Sequence, residues 1–227
     1  MSTTTAVPAR ESRLPRAKSV VFAVIAVMML YVIFHNEHFL VDPTDPVWQH
    51  YKSFQWWLLP HGIAGACALL LAPLQFSDRL RRRFAVLHRT IGRIYVAGVF
   101  VLAPLGVYIQ YIDESLGASR SFTVATLVDA VLLLVTTWIG LAFALKGMIS
   151  RHRQWMTRSY AVGLAFFESR FILGITGLDQ PPDLAATEIT VWTTVALAVL
   201  VGDLANQWSE LQPARRVVKA AMPKVRA

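Results

Sequence analysis

Six apolar stretches divide this chain, and nineteen of its 22 Lys and Arg residues fall in the four segments that would share one side of a membrane if every stretch crosses it. Lys and Arg in short connections stay cytoplasmic, so this alternation predicts a polytopic membrane protein with both ends in the cytoplasm. The amino-terminal segment carries Arg10, Arg13, Arg16 and Lys18, and the connection after the second stretch carries Arg79, Arg81, Arg82, Arg83, Arg89 and Arg93. Lys146, Arg151, Arg153 and Arg158 precede the fifth stretch, and Arg215, Arg216, Lys219, Lys224 and Arg226 form the carboxyl tail. The three intervening connections hold only Lys52 and Arg120 beside eight acids: Glu37, Asp42, Asp45, Asp113, Glu114, Asp179, Asp183 and Glu188.

The expected fold is therefore an all-α integral membrane protein, a six-transmembrane-helix bundle. Its helices are expected at about residues 20–34, 60–76, 86–111, 122–145, 155–178 and 189–204. Each is near the roughly 20 residues that span a bilayer core as helix, the second and sixth being short. A basic tail over residues 1–17 and another over 207–227 flank one membrane domain, residues 18–206. The first stretch follows a basic flank, as a secretory signal does, but runs into His35, Asn36, Glu37 and His38 with no small-residue cleavage pattern, so a retained anchor is expected. Pro60 suits a first helical turn and is the expected start of the second helix. Trp48, Phe54, Trp56 and Trp57 before it suit a membrane interface or a short surface helix.

Composition supports this class, with 55% apolar and 16% charged residues. So few charges cannot cover the surface of a soluble domain. The net charge of +8 is divided among connections and not gathered on one face, which excludes a nucleic-acid footprint and predicts contact with anionic inner-leaflet lipids. Cys67 is the single cysteine and lies in an apolar stretch, so neither a disulfide framework nor an activated thiolate is expected. Outer-side His35, His38 and Glu37 lack a standard zinc spacing, and no metal site is expected.

Ionisable groups inside membrane helices are the first functional candidates, because lipid excludes them unless something requires them. Asp129, Glu168, Arg170 and Asp203 qualify, with His61 near the outer end of the second helix. At about 1.5 Å per residue, Arg170 lies roughly 22 Å outward along its helix and Asp129 roughly 12 Å inward along the preceding one. Their depths allow an Asp129–Arg170 pair, whereas Glu168 points away from Arg170 and must find another donor or stay protonated. Gly62, Gly65, Ala66 and Ala72 have the spacing of a close helix contact.

A second group gathers at the basic end. His88, Gly92 and Tyr95 share one helical face, and His152, Met156, Ser159 and Gly163 share another. Two imidazoles at matched depth on separate helices can ligate one b-type haem, with Arg89, Arg93 and Arg153 as propionate or lipid partners and Gly92 leaving room for the porphyrin. Three functional readings stay open. One is redox or electron transfer through haem held by His88 and His152. Another is a small proton-coupled transporter using His61, Asp129, Glu168 and Arg170. The third is a non-catalytic membrane component that binds lipid or a partner through its basic segments.

Five sets of residues carry a family resemblance: His61 with Gly65; Gln75 and Phe76; His88, Arg89, Gly92, Arg93 and Tyr95; His152, Arg153, Trp155, Met156, Arg158 and Ser159; and Arg170. Over about residues 55–175 they resemble the domain of unknown function 2306 family of bacterial predicted membrane proteins. The resemblance implies a helical protein of the bacterial inner membrane and supplies no reaction. The bundle is also loosely similar to transmembrane b-type cytochromes, but it departs from a two-haem arrangement by lacking histidine in the fourth and sixth stretches.

Overall fold

In a computed structural model, described for residues 14–36, 42, 44, 48, 52, 54–179 and 183–211, regular structure is entirely helical. The helices are α1 (Leu14–Asn36), α2 (Gln55–Gln75), α3 (Asp78–Arg83), α4 (Ala85–Ser115), α5 (Arg120–Leu145), α6 (Ile149–Thr176) and α7 (Leu184–Leu211). The tails through residue 13 and from residue 212, and most of the connection between α1 and α2 including His38 and His50, lie outside the described residues.

Five helices are long and apolar enough to cross a membrane: α1, α2, α4, α5 and α7. The sixth expected span, α6, misses that standard because Glu168 and Arg170 interrupt it and its first turns carry Arg151, Arg153 and Arg158. Its position explains the tolerance. It packs against α1, α2, α5 and α7, and buries Ser159, Tyr160, Ala161, Val162, Leu164, Ala165, Ser169 and Leu173. A helix wrapped by protein need not be apolar all round, because lipid meets only part of its surface.

Helix boundaries depart from expectation at several places: α1 and α7 run longer than residues 20–34 and 189–204, and three further departures have a local cause. Pro60 does not begin α2, which starts at Gln55 and carries the proline inside. Proline's fixed φ is helical, and so close to the helix start its missing N–H leaves only one early carbonyl without its bond. Trp56 and Trp57 are thereby drawn into the first turn and face outward. At the basic end α6 begins at Ile149 and not near Trp155, so its arginines ride on helix. Between α2 and α4 lies the unexpected α3, where the Ser77 hydroxyl caps Leu80 N–H at 3.2 Å and Asp78 occupies the first turn.

The α2–α4 contact uses small residues, but not those the spacing had suggested. Gly62 meets nothing within 4 Å of a built Cβ, Gly65 meets only Leu102, and Ala66 is exposed. Ala64, Ala68 and Ala72, one turn apart, form the buried seam instead. Opposite them stands Gly98, where a Cβ would lie 2.8 Å from the Ala64 carbonyl oxygen. Lipid tails are as apolar as the helices, so such close van der Waals packing holds membrane helices together.

Candidate functional site

The residues singled out near the basic end converge there. His88 is half-buried on α4, close enough to His152 on α6 for the two rings to interact electrostatically. His152 Nδ1 lies 2.8 Å from the Gly140 carbonyl oxygen of α5. A carbonyl only accepts, so Nδ1 is the donor, and in the neutral imidazole Nε2 keeps its lone pair. Among the described residues His88 Nδ1 is buried with no hydrogen-bond partner, as are Gln75 Nε2 at the end of α2 and the Tyr160 hydroxyl on α6. Gln75 packs over Gly92, where a Cβ would lie 3.3 Å from Oε1, and the ring of adjacent Phe76 stands 5.5 Å from that of Tyr160. Three orphaned polar atoms thus sit on three helices that meet at this end.

The small residues here are already filled. Gln75 takes the space over Gly92 that was expected to receive a porphyrin, and Met156 fills the notch at Gly140, where a Cβ would lie 2.6 Å from its sulfur. The expected propionate partners Arg89 and Arg93 are exposed, and Arg153 reaches Asp78 at 3.7 Å. Asp78 also accepts from Arg81 at 2.9 Å, while Lys18 donates to the Phe76 carbonyl and feels the charges of Asp78, Arg81 and Arg153. One acid amid these cations ties α1, α2, α3 and α6 together at the surface.

One turn deeper, three hydroxyls join three helices. Ser159 Oγ lies 2.7 Å from Tyr95 Oη and 2.7 Å from Thr137 Oγ1, and all three side chains are buried. Tyr95 is seven residues beyond His88 and Ser159 seven beyond His152, so two turns of helix bring the faces that carry the histidines together here. Nearby, Arg158 Nε donates to Asp203 of α7 at 2.5 Å, and its guanidinium lies over the Trp155 ring at 4.7 Å. Asp203 thus has a cation, unlike the next acid.

Asp129 is 6% exposed within α5, and its Oδ1 has no hydrogen-bond partner among the described residues. The Asp129–Arg170 pair that helix depth allowed is not formed. Arg170 lies on an exposed face of α6, and Asp129 joins no ion pair among the described residues. Matched depth is not matched azimuth: Asp129 shares the buried face of α5 with Ala125, Thr126 and Leu133. Glu168 is half-buried and also joins no ion pair among the described residues. His61 Nδ1 donates to the Leu102 carbonyl at 2.9 Å, and its ring fills the notch at Gly106, so its Nε2 also keeps a lone pair. Gln110, buried further along α4, leaves its Nε2 without a partner.

Gln75, Thr137 and Tyr160 belong to this polar system although their residue types alone gave little notice of it. A pair of threonines in an otherwise apolar stretch, and a glutamine at the end of another, were the available signals. No curated protein and no solved structure matches the chain. A family profile described as "Predicted membrane protein (DUF2306)" matches residues 58–206, the part that contains every polar group described above from His61 to Asp203, and the chain belongs to that family.

Proposed function

We propose that this is a six-span protein of the bacterial inner membrane, with both termini cytoplasmic, whose bundle exchanges protons at Asp129 as part of proton-coupled transport. The observation that carries the reading is the Asp129 carboxyl, buried within α5 with an unsatisfied oxygen and no paired cation among the described residues. Ionisable groups held at that depth without a partner mark ion or proton routes in membrane bundles. Polar groups continue from it toward both ends. His61 Nε2 and Glu168 are suited to receive protons on the acidic side; Thr137, Ser159, Tyr95 and then His88 lead to the basic side. The eight residues from Asp129 to Thr137 span about 12 Å, a step for water or a moving side chain to bridge.

Infrared difference spectroscopy on the protein in lipid, titrated from acid to alkaline buffer, tests the assignment. The expected result is a protonated-carboxyl carbonyl band that disappears reversibly as pH rises and is missing from Asp129→Asn. A band unchanged by that substitution, or one that never titrates, assigns Asp129 to structure and rules out the exchange.

A second reading is favoured by one contact, the bond from His152 Nδ1 to the Gly140 carbonyl. Ligating imidazoles characteristically donate their other N–H in this way, which presents Nε2 to a metal. Haem b between His88 and His152 requires Gln75 to swing off Gly92, opening the slot it occupies. The reading expects a Soret band from protein made with haem precursor, with alpha and beta bands sharpening on reduction and lost in His152→Ala. A featureless spectrum from folded protein removes it.

A further inference from the structure

Beyond Pro104, α4 and α5 leave a groove of about 470 Å³ between them, at the end of the bundle opposite the arginine-rich connections. Proline removes one helical hydrogen bond, and the groove begins at that residue. Its α4 wall is Val107, Tyr108, Tyr111 and Glu114; its α5 wall includes Arg120, Val124 and Leu127. Both sets recur at helical spacing, so each is a continuous stripe and not a scatter of loop residues. Trp57 of α2 braces Tyr108 edge-on, with ring centroids 5.2 Å apart.

The chemistry changes along the groove. Pro104, Leu127 and Val124 make its deep part apolar, whereas its mouth holds Glu114 in the last turn of α4 and Arg120 in the first turn of α5. Neither charge joins an ion pair among the described residues, so an anion and a cation on opposite walls both remain available. From Pro104 to Glu114 the wall rises about 15 Å, half of a core about 30 Å thick. The groove therefore has the reach of one leaflet, and its volume lies within the roughly 300–1,000 Å³ of small-molecule sites.

We infer that this groove is a specific site for a bilayer phospholipid bearing both a primary ammonium and a phosphate, that is, phosphatidylethanolamine. One acyl chain lies along Val124 and Leu127. The phosphate meets Arg120, the ammonium donates to Glu114, and the exposed Tyr111 ring, one turn below Glu114, stands near the headgroup, where tyrosine is favoured. Phosphatidylglycerol offers Glu114 no cation, and the choline headgroup has a charge but no N–H to donate. The site is independent of Asp129 and of any haem.

Native mass spectrometry of the delipidated full-length protein, titrated with each of the three lipids, decides the matter. Phosphatidylethanolamine is expected to bind one copy about tenfold more tightly than the other two, a difference of about 1.4 kcal/mol. Glu114→Gln is expected to abolish its preference over the choline lipid, and Arg120→Ala to weaken all three. Val124→Trp is expected to fill the groove and remove the bound copy. Equal, non-saturating binding of every lipid, a lipid copy indifferent to Glu114→Gln and Arg120→Ala, or a second protein chain in place of lipid would each overturn the inference. The two charge variants lie at the rim, so they remain informative even where Val124→Trp does not fold.

Discussion

Gly98→Leu is expected to destabilise the bundle by about 3 kcal/mol or more and to loosen α2 from α4. At this position even a Cβ lies 2.8 Å from the Ala64 carbonyl oxygen and 3.3 Å from the Ala68 Cβ. The first obstacle is backbone within a helix and cannot rotate away. Leucine adds three more carbons against the same wall, so relief comes only from moving a whole helix. That movement loses the van der Waals contact which substitutes for a hydrophobic driving force between membrane helices. Gly62→Leu supplies the control, because nothing lies within 4 Å of its Cβ. Thermal unfolding in detergent is expected to show a large fall in midpoint for the first variant and little change for the second. Equal effects would mean that the glycine conformation itself, and not the close approach, is what matters.

The second large effect is expected at Ser159, the hydroxyl that touches both Tyr95 and Thr137. Ser159→Ala removes two hydrogen bonds and leaves the tyrosine and threonine oxygens only each other; a cost of roughly 2 kcal/mol follows. Ser159→Val adds a branched side chain to a site with no exposed surface, raising the expected loss to about 3 kcal/mol. The coupling between Ser159→Ala and Tyr95→Phe distinguishes hydrogen bonding from packing. A double-mutant cycle is expected to give about 1 kcal/mol, above the average of about 0.6 for interhelical bonds in membranes, because this hydroxyl serves two partners. A coupling near zero would show that the three oxygens are neighbours without being energetically linked.

The all-helical class and the order of the long helices were legible because they depend on one-dimensional properties, stretch length and apolar content. Even there α6 is the instructive case, since its charges lower its apolarity for the same reason that it belongs at the centre. The short α3 is encoded by Ser77 and Asp78 ahead of an arginine run, a cap and a first-turn acid that the loop charges overlie. What sequence could not supply was azimuth. Asp129 and Arg170 have compatible depths, yet a helix places a residue by angle as well as by rise, and only packing fixes that angle. The same missing information hid the Ala64–Ala68–Ala72 seam behind glycines of similar spacing. Face sharing did succeed locally. Tyr95 follows His88 and Ser159 follows His152 at two helical turns, and the structure joins Tyr95 to Ser159 where those faces meet. Gln75 filling the room over Gly92 was beyond such reasoning, because it depends on where a different helix ends.

Proton exchange at Asp129 is the central claim, and proton movement across a membrane measures it most directly. Purified full-length protein is reconstituted into liposomes containing a pH-sensitive dye, and a potassium diffusion potential, negative inside, is imposed. The account predicts acidification of the lumen well above the rate in protein-free liposomes, abolished by Asp129→Asn and retained by Asp203→Asn, whose parent carboxylate is paired to Arg158. Proton movement that is the same in Asp129→Asn as in the parent protein would contradict it.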